Sequence, residues 1–299
     1  MPRMSPNARR DLRNGLLFTS PWLVGLLVFT IYPIIASVYF SFTDYSVLKA
    51  PRWVGVANYV ELFTGDALFP RSLVNTLYYA AFALPLGLIG SVVLALLLNK
   101  KLTGMSIYRT IFYLPNIVPT VAMSVLWIWL LNPNYGLFNN ILKSVGLRGV
   151  PWLTSPDWSK PSLILMGLWG IGGSMVIYLA GLQDIPQHLY EAADLDGASS
   201  WQKTMHVTLP MLTPTIFFNL VMGLIGVFSY FTQAFIMTNG GPLDSTLFYM
   251  LYLYRNAFMY FKMGYASAQA WVLFVIVVSL TAVVFRSSGR WVYYGGASS

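Results

Sequence analysis

The amino-acid sequence predicts an all-α membrane protein with six transmembrane helices. Hydrophobic residues make up 57% of the 299 residues and charged residues 9%, whereas a soluble domain has about 25% charged residues. The apolar residues fall into six runs, each long enough for the ~20 residues that a helix needs to cross a bilayer. One long polar segment, Glu191–Pro210, lies between the fourth and fifth runs. We therefore expect a helical bundle in lipid with one large polar loop.

The first span is predicted at residues 15–42, after an arginine-rich tail at residues 1–14. By the positive-inside rule the tail is expected in the cytoplasm, because it contains several arginines and only one acidic residue, Asp11. The loop at residues 43–72 carries as many basic as acidic residues, which suits the outer side. The basic residues of the tail are Arg3, Arg9, Arg10 and Arg13.

The second span is predicted at residues 73–98 and the third at residues 111–131. Small residues recur every four positions in the second span, a pattern that lets another helix approach closely and that we interpret as packing. This stripe consists of Ala83, Gly87, Ser91 and Ala95. Basic residues place the loop between the two spans in the cytoplasm. They are Lys100, Lys101 and Arg109.

Asn116 lies between Pro115 and Pro119 in the third span. Prolines free backbone carbonyl groups, which must then face protein or a wet cavity. Asn116 therefore either lines a pathway or makes a hydrogen bond between helices, and the second interpretation has at least equal weight.

The last three spans are predicted at residues 162–182, 212–237 and 265–285. The fourth contains four glycines, so we expect it to bend or to pack against a ligand-sized space. Residues 132–161 and the turn Asn239–Pro242 are expected outside, and Arg286 and Arg290 place the C-terminal tail, residues 286–299, in the cytoplasm. The predicted organisation is a tail at 1–14, a membrane domain at 15–285 with a polar loop at 184–210, and a second tail.

The polar loop has a predictable local structure. Gly197 suits the left-handed position that ends a helix. Ser199 and Gln202 resemble a capping box at the start of a second short helix. Leu209-Pro210, with Pro214, is expected to end that helix. The prediction is an L-shaped pair of short helices at a membrane surface, with a glycine elbow.

The spacing of this loop resembles the EAA loop of ABC importer membrane subunits. The motif consists of Glu191-Ala192-Ala193, then Gly197, then Val207-Thr208-Leu209-Pro210, and it departs from the family only in having valine at position 207. In that family the loop is the coupling helix that docks in a groove of a cytoplasmic ATPase. The resemblance implies that Glu191, Asp194 and Asp196 contact basic or polar groups of the ATPase. It also implies that Ala192, Ala193 and Ala198 belong to the docking surface, where the first two pack.

Further motifs in the same order resemble maltose-type sugar permeases, from Tyr32–Tyr45 to Arg290–Tyr294. The resemblance implies a type I ABC importer permease architecture in a bacterial plasma membrane. It also implies four kinds of partner besides the lipid bilayer. These are a second homologous permease subunit, two ATP-binding cassette ATPases that bind ATP and magnesium, an extracytoplasmic solute-binding protein and the sugar itself.

Other chemistry finds no support in the sequence. There is no G-x-x-x-x-G-K-[ST] motif, so ATP hydrolysis must come from a partner. The chain has no cysteine, and His188 and His206 lack metal-ligand spacing. No basic cluster on a soluble face suits nucleic acid. We expect a subunit that is not an enzyme and binds no metal or cofactor.

A neutral polar solute such as a sugar fits the remaining residues, because sugar sites use hydroxyl partners and flat apolar faces. The candidate pathway residues are Asn116, Trp169, Ser174, Phe228, Ser229, Tyr230 and Gln233; packing within the bundle is the competing interpretation. A stand-alone secondary carrier and a non-transporting scaffold are the alternative functions. The carrier is disfavoured because the predicted spans contain essentially no ionisable residue.

Overall fold

The computed structural model describes residues 5–100 and 102–293. Residues 1–4 and 294–299 of the predicted tails, and Lys101 of the predicted basic loop, lie outside the described residues. The chain divides into two compact units. One comprises the residues up to 65 together with 253–272, and the other comprises residues 66–252 together with the residues from 273 onward.

The first unit begins with helical residues from Pro6 to Ser41. Helix α1 (Pro6–Leu26) and helix α2 (Tyr32–Ser41) are joined by a π-helical turn, Leu27–Ile31. Helix α1 starts within the stretch predicted as a tail, because Ser5 caps it by accepting a hydrogen bond from the amide of Ala8. Large apolar side chains of this segment are exposed, such as Phe18 at 88%. Such exposure suits contact with lipid rather than water.

A β-hairpin follows α2, within the loop predicted at residues 43–72. Strand β1 (Thr43–Ser46) pairs antiparallel with strand β2 (Lys49–Trp53), and Thr43 lies opposite Trp53. Helix α3 (Ala57–Val60) and the π-helical turn Glu61–Gly65 complete this loop. The buried side chain of Asn58 donates hydrogen bonds of 2.9 Å to the carbonyls of Ser41 and Thr43. Asn58 therefore fixes the base of the hairpin to the end of α2.

The second unit contains most of the helices, and several of them pack against its longest helix, residues 68–98. The helices that lie wholly in this unit are α4 (Leu68–Leu98), α5 (Met105–Tyr113), α6 (Thr120–Leu130), α7 (Leu137–Ser144), α8 (Pro156–Trp169), α9 (Gly172–Gln183), α10 (Gln187–Leu195), α11 (Ser200–Lys203), α12 (Leu209–Phe228) and α13 (Thr232–Met237). Helices α14 (Tyr249–Tyr254) and α15 (Met263–Ser288) each begin in one unit and end in the other. A buried apolar cluster joins α4, α9 and the start of α12; it includes Leu94, Leu98, Met175, Tyr178, Leu182 and Leu212.

The described residues contain four helical segments long and apolar enough to cross a membrane, and two bent pairs that raise the number to six if each pair forms one span. The first pair, Met105–Ile117 with Thr120–Leu130, is bent by 100°. This bend lies where the sequence has Pro115 and Pro119, because proline interrupts regular helical hydrogen bonding. The second pair, Pro156–Trp169 with Gly172–Gln183, is bent by 45° at the glycines of the predicted fourth span.

Helix α8 begins at Pro156, earlier than the start predicted for the fourth span, and therefore includes Lys160. Lys160 lies two residues before the span predicted at residues 162–182, so the expectation that the spans lack ionisable residues stays a prediction. The Lys160 ammonium donates a 3.0 Å hydrogen bond to the Asn75 side-chain oxygen. The Asn75 amide in turn donates to the carbonyls of Asp244 and Leu247 at 2.8 and 3.1 Å. The charge is thus hydrogen-bonded within the protein at one end of the helix.

Candidate functional site

The polar loop forms an elbow at Gly197, as the sequence predicts. Gly197 has φ of +74°, in the left-handed region. The amide of Gly197 donates to the carbonyl of Asp194 at 3.1 Å, and the amide of Ala198 donates to the carbonyl of Ala193 at 2.9 Å. These two bonds form the Schellman motif that ends α10 and satisfies its last carbonyls. A Cβ at position 197 would meet no atom within 4 Å, so the glycine is favoured by its backbone angle and not by crowding.

The second arm of the elbow starts at the predicted capping box. The Ser199 amide donates to the Gln202 side chain at 2.8 Å, and the Gln202 amide donates to the Ser199 hydroxyl at 3.4 Å. The expected end at Leu209-Pro210 is wrong, because helical structure runs without interruption from Ser200 through the π-helical turn Thr204–Thr208 into α12. In a regular helix the Pro210 ring would clash with the preceding turn. The wider π turn relieves that clash, so the second arm is continuous with a spanning helix.

Two side-chain contacts hold the arms of the elbow together. The Lys203 ammonium lies 2.6 Å from a carboxylate oxygen of Asp194, and the hydroxyls of Tyr190 and Thr208 are 3.0 Å apart. Both contacts join α10 to the helix that follows Gly197. The elbow is therefore fixed by side chains on both arms as well as by its backbone turn. We call these two contacts the elbow clasp.

The elbow is attached to the core of its unit. Leu189 and Tyr190 of α10 pack against the buried cluster on α4, α9 and α12, as does Met211. A displacement of α10 therefore acts directly on three long helices, because packed interiors transmit strain.

The opposite surface of the elbow is exposed and contains both acidic and apolar side chains. Glu191, Ala192, Asp194 and Asp196 are exposed, whereas Ala193 and Ala198 are partly buried, as are Leu209 and Pro210 in the second arm. Leu195 is 90% exposed and Trp201 69% exposed, one on each side of Gly197. The sequence analysis missed these two residues. The signal was present, since they are large apolar residues within an otherwise polar segment.

Three of the candidate pathway residues lie around the break between α8 and α9. Asn116 is exposed in the 3₁₀ turn Leu114–Ile117. With its amide oriented to satisfy both neighbours, it donates to the Gly170 carbonyl and accepts from the Gly173 amide, each at 2.9 Å. Trp169, the last residue of α8, is 39% exposed and contacts the ring of Trp127 edge to face at 5.8 Å. Asn116 thus makes hydrogen bonds on both sides of the break between α8 and α9. Of the two interpretations that the sequence left open, this geometry agrees with a hydrogen bond between helices.

Ser174 lines a cavity of about 210 Å³, together with Gly167 and Gly170 of the predicted fourth span. The cavity lies among α4, α8, α9 and α12, and three residues of the small-residue stripe of α4 contribute to its wall: Ala83, Gly87 and Ser91. Tyr79, one turn earlier on the same face, also lines it. The volume is below the roughly 300–1,000 Å³ typical of ligand pockets.

The other four pathway candidates lie around the end of α12. Phe228 is buried at 2% exposure, and Ser229 is exposed with its hydroxyl donating to the Ile225 carbonyl at 3.0 Å. Gln233 is partly buried in α13, and the ring of Tyr230 lies 4.3 Å from that of Tyr79. The structure therefore does not gather the seven candidates into one pocket. They form two groups, one at each helix break, and Tyr79 contacts the Tyr230 ring while also lining the cavity that Ser174 lines.

Within residues 5–100 and 102–293, no group of three or more histidine, cysteine, aspartate or glutamate side chains could hold a metal ion. His206 lies 3.1 Å from the Gln202 carbonyl, a contact within its own helix.

Comparisons with known proteins agree with this geometry. A family model described as a binding-protein-dependent transport system inner membrane component matches residues 83–292. The chain is 45% identical to the probable ABC transporter permease protein YesP of Bacillus subtilis, over 98% of this chain and 96% of the relative. It is 34% identical to the lactose transport system permease protein LacF of Rhizobium radiobacter, over 95% of this chain and 99% of that one.

A solved structure gives a similar result. The chain superposes with a TM-score of 0.84 and 28% identity on a subunit of a bacterial alginate ABC transporter in complex with an alginate pentasaccharide-bound periplasmic protein, covering 94% of this chain and 96% of that chain. The family match covers well over half of the sequence, and the similarity to relatives extends over nearly the whole chain. This chain therefore belongs to the family of binding-protein-dependent transport system inner membrane components.

Proposed function

We propose that this chain is the membrane-spanning subunit of an ATP-driven importer of a neutral sugar, an oligosaccharide, a disaccharide or a related polyol derivative. It works with a second permease subunit, two ATPase subunits that bind ATP and magnesium, and an extracytoplasmic solute-binding protein. The chain itself carries out no chemical reaction and binds no cofactor. Both termini and the elbow face the cytoplasm of a bacterial cell.

The observation that carries this proposal is the elbow itself. A clasped, solvent-exposed turn is packed on its inner side against three spanning helices, so a push on its outer side moves those helices together. Glu191 and Asp196 provide charge on the outer side, and Leu195 and Trp201 provide apolar contact area. Large exposed apolar side chains next to charged ones are typical of protein interfaces, and tryptophan is common among the residues that dominate binding energy.

The solute class is supported by the relatives. Relatives named for the transport of lactose and of trehalose and maltose match almost the whole chain. No observation favours the stand-alone carrier, because Lys160 is hydrogen-bonded at the end of its helix and gives no buried carboxylate for ion coupling.

The test replaces Gly197 with aspartate in the assembled importer. Aspartate tolerates the left-handed backbone better than most residues, and a Cβ at position 197 meets no atom within 4 Å, so the protein should reach the membrane in normal amounts. The added charge at the tip of the elbow should uncouple sugar uptake from ATP hydrolysis. The measurements are uptake and sugar-stimulated ATPase activity of the purified complex, screened over sugars.

Gly146→Asp is the matched control. Gly146 also has a positive φ, +80°, and open space around it, but it lies in a loop predicted to be outside. The control should therefore transport normally. Unimpaired uptake by Gly197→Asp, or purification of an active chain without an ATPase, would contradict the proposal.

A further inference from the structure

The first unit contains a polar cavity of about 330 Å³ that is separate from the elbow and from the helix breaks. It lies between the hairpin of β1 and β2, the turn at Glu61 and the segment that leads into α15. Its volume is within the range of small-molecule sites. Its wall includes Tyr45, Lys49, Glu61, Tyr260, Lys262 and Tyr265. We call it the hairpin pocket.

The walls of the hairpin pocket are held in place by contacts below it. Asn58, which also lines the pocket, fixes the hairpin base through its two hydrogen bonds of 2.9 Å. Gly264 lies so close to the Thr43 carbonyl that a Cβ there would overlap it. The Lys262 amide donates to the Asn256 carbonyl at 2.8 Å, which fixes the turn before α15. The pocket is thus preformed, and this reduces the entropy lost when a ligand binds.

The charges of the pocket favour a ligand without net charge. Asp44 and Glu61 are balanced by Lys49 and Lys262 in its wall. The Glu61 and Lys262 head groups are 4.0 Å apart, the outer limit of an ion pair, and both side chains are more than half exposed. Each head group therefore retains hydrogen-bonding capacity for a ligand, the carboxylate as an acceptor and the ammonium as a donor.

Tyrosine rings provide the remaining surface. Tyr260 and Tyr265 both line the pocket; Tyr260 is 55% exposed, whereas Tyr265 is buried. Flat apolar ring faces beside a carboxylate and an ammonium match the chemistry of a sugar ring. The hydroxyls of a sugar both donate and accept hydrogen bonds, and its C–H faces are apolar.

We infer that the hairpin pocket is a binding site for a neutral glycosyl unit, a first contact for the sugar on the side of the membrane from which it arrives. This inference rests on the proposed function for the class of ligand and on the predicted outer location of residues 43–72. It assigns Glu61, Lys262 and Tyr260 as ligand contacts.

The test is saturation-transfer NMR on the full-length chain in nanodiscs, without partner subunits or ATP. The probes are lactose, maltose and trehalose at millimolar concentration, with galacturonate as a charged comparison. At least one neutral disaccharide should receive saturation from the wild type, and more strongly than galacturonate. Glu61→Gln and Tyr260→Ala, both at exposed positions, should each abolish most of this transfer.

Asp157→Asn and Tyr135→Ala are matched controls, since both residues are exposed and neither lines the pocket. Both controls should bind as the wild type does. The inference is wrong if none of the three disaccharides receives saturation, or if the pocket variants bind as well as the controls. The NMR measurement needs no ATPase. If no disaccharide binds to the isolated chain but the assembled importer still couples uptake to ATP hydrolysis, this inference alone is overturned. Binding without any coupled uptake overturns the proposed function instead.

Discussion

Asn116 shows how one amide can stabilise a break in a neighbouring helix. Between α8 and α9 the Gly170 carbonyl and the Gly173 amide are freed from regular helical bonding, and Asn116 is the partner of both at 2.9 Å. Gly172 is required beside it, because a Cβ there would overlap the carbonyl of Phe112. The 100° bend of one helix pair and the 45° bend of the other are therefore in direct contact.

We predict that Asn116→Leu lowers the free energy of unfolding by roughly 1–3 kcal/mol, because leucine fills similar space but leaves both backbone groups without a partner in lipid. The melting temperature in detergent measures this effect. Asn134→Leu, at an exposed loop position, is the control and should melt as the wild type does.

Transport kinetics of the same variant distinguish the two interpretations of Asn116. A residue that only bridges the helix break should leave the KM for sugar uptake unchanged. A large rise in KM with unchanged stability would show instead that Asn116 contacts the solute.

At the scale of elements, the elbow clasp joins two helices that the chain separates by a glycine. The exposed end of the Asp194–Lys203 pair limits its contribution to stability to about 1 kcal/mol or less. Its geometric effect is larger, since together with the Tyr190–Thr208 contact it keeps the two arms at a fixed angle. Asp194 therefore contacts Lys203 of the same chain and is also part of the exposed surface of the elbow.

We predict that Asp194→Lys and Lys203→Asp each raise the amount of ATP hydrolysed per sugar imported, while leaving the amount of folded protein in the membrane unchanged. The physical reason is that repulsion between like charges opens the elbow, so motion of α10 no longer moves α12 with it. The double variant restores the pair with reversed charges and should recover coupling.

The double variant also separates the two roles of Asp194. Failure of the double variant to recover coupling would mean that Asp194 acts mainly through an ATPase contact and not through the clasp. Asp157→Lys, a charge reversal at an exposed site away from the elbow, should leave the ratio unchanged.

At the scale of the whole molecule, the central question is which side of the membrane each polar segment faces. The sequence contains no cysteine, so single cysteines can be introduced without background reactivity. Val47, between the two strands of the hairpin, is 54% exposed, and Ser200 is exposed at the start of α11.

We predict that Val47→Cys reacts with a membrane-impermeant maleimide in intact cells, because the proposed topology places the hairpin outside. Ser200→Cys should react only in inverted vesicles or after permeabilisation, because the same topology places the elbow inside. Labelling in the reverse pattern would contradict both the proposed function and the location of the hairpin pocket.

The parts of the site that the sequence predicted correctly are those governed by local chemistry. A positive φ favours glycine whatever surrounds it, so Gly197 could be assigned to the elbow from its place after a helical stretch. Ser199 and Gln202 form a capping box within a single turn. The spans could be located because lipid requires long apolar runs with internally satisfied backbone groups.

Other features depended on residues distant in the chain. Pro210 was expected to stop a helix, and the π turn before it allows the helix to continue. The role of Asn116 required knowing that Gly170 and Gly173 lie against it, and the hairpin pocket combines segments around residues 45, 61 and 262. Sequence alone thus determined the membrane class, most of the spans and the elbow, because hydropathy and backbone preferences act over a few residues. Only the tertiary structure decided which polar groups meet, because hydrogen-bond partners and cavities are set by the packing of distant segments.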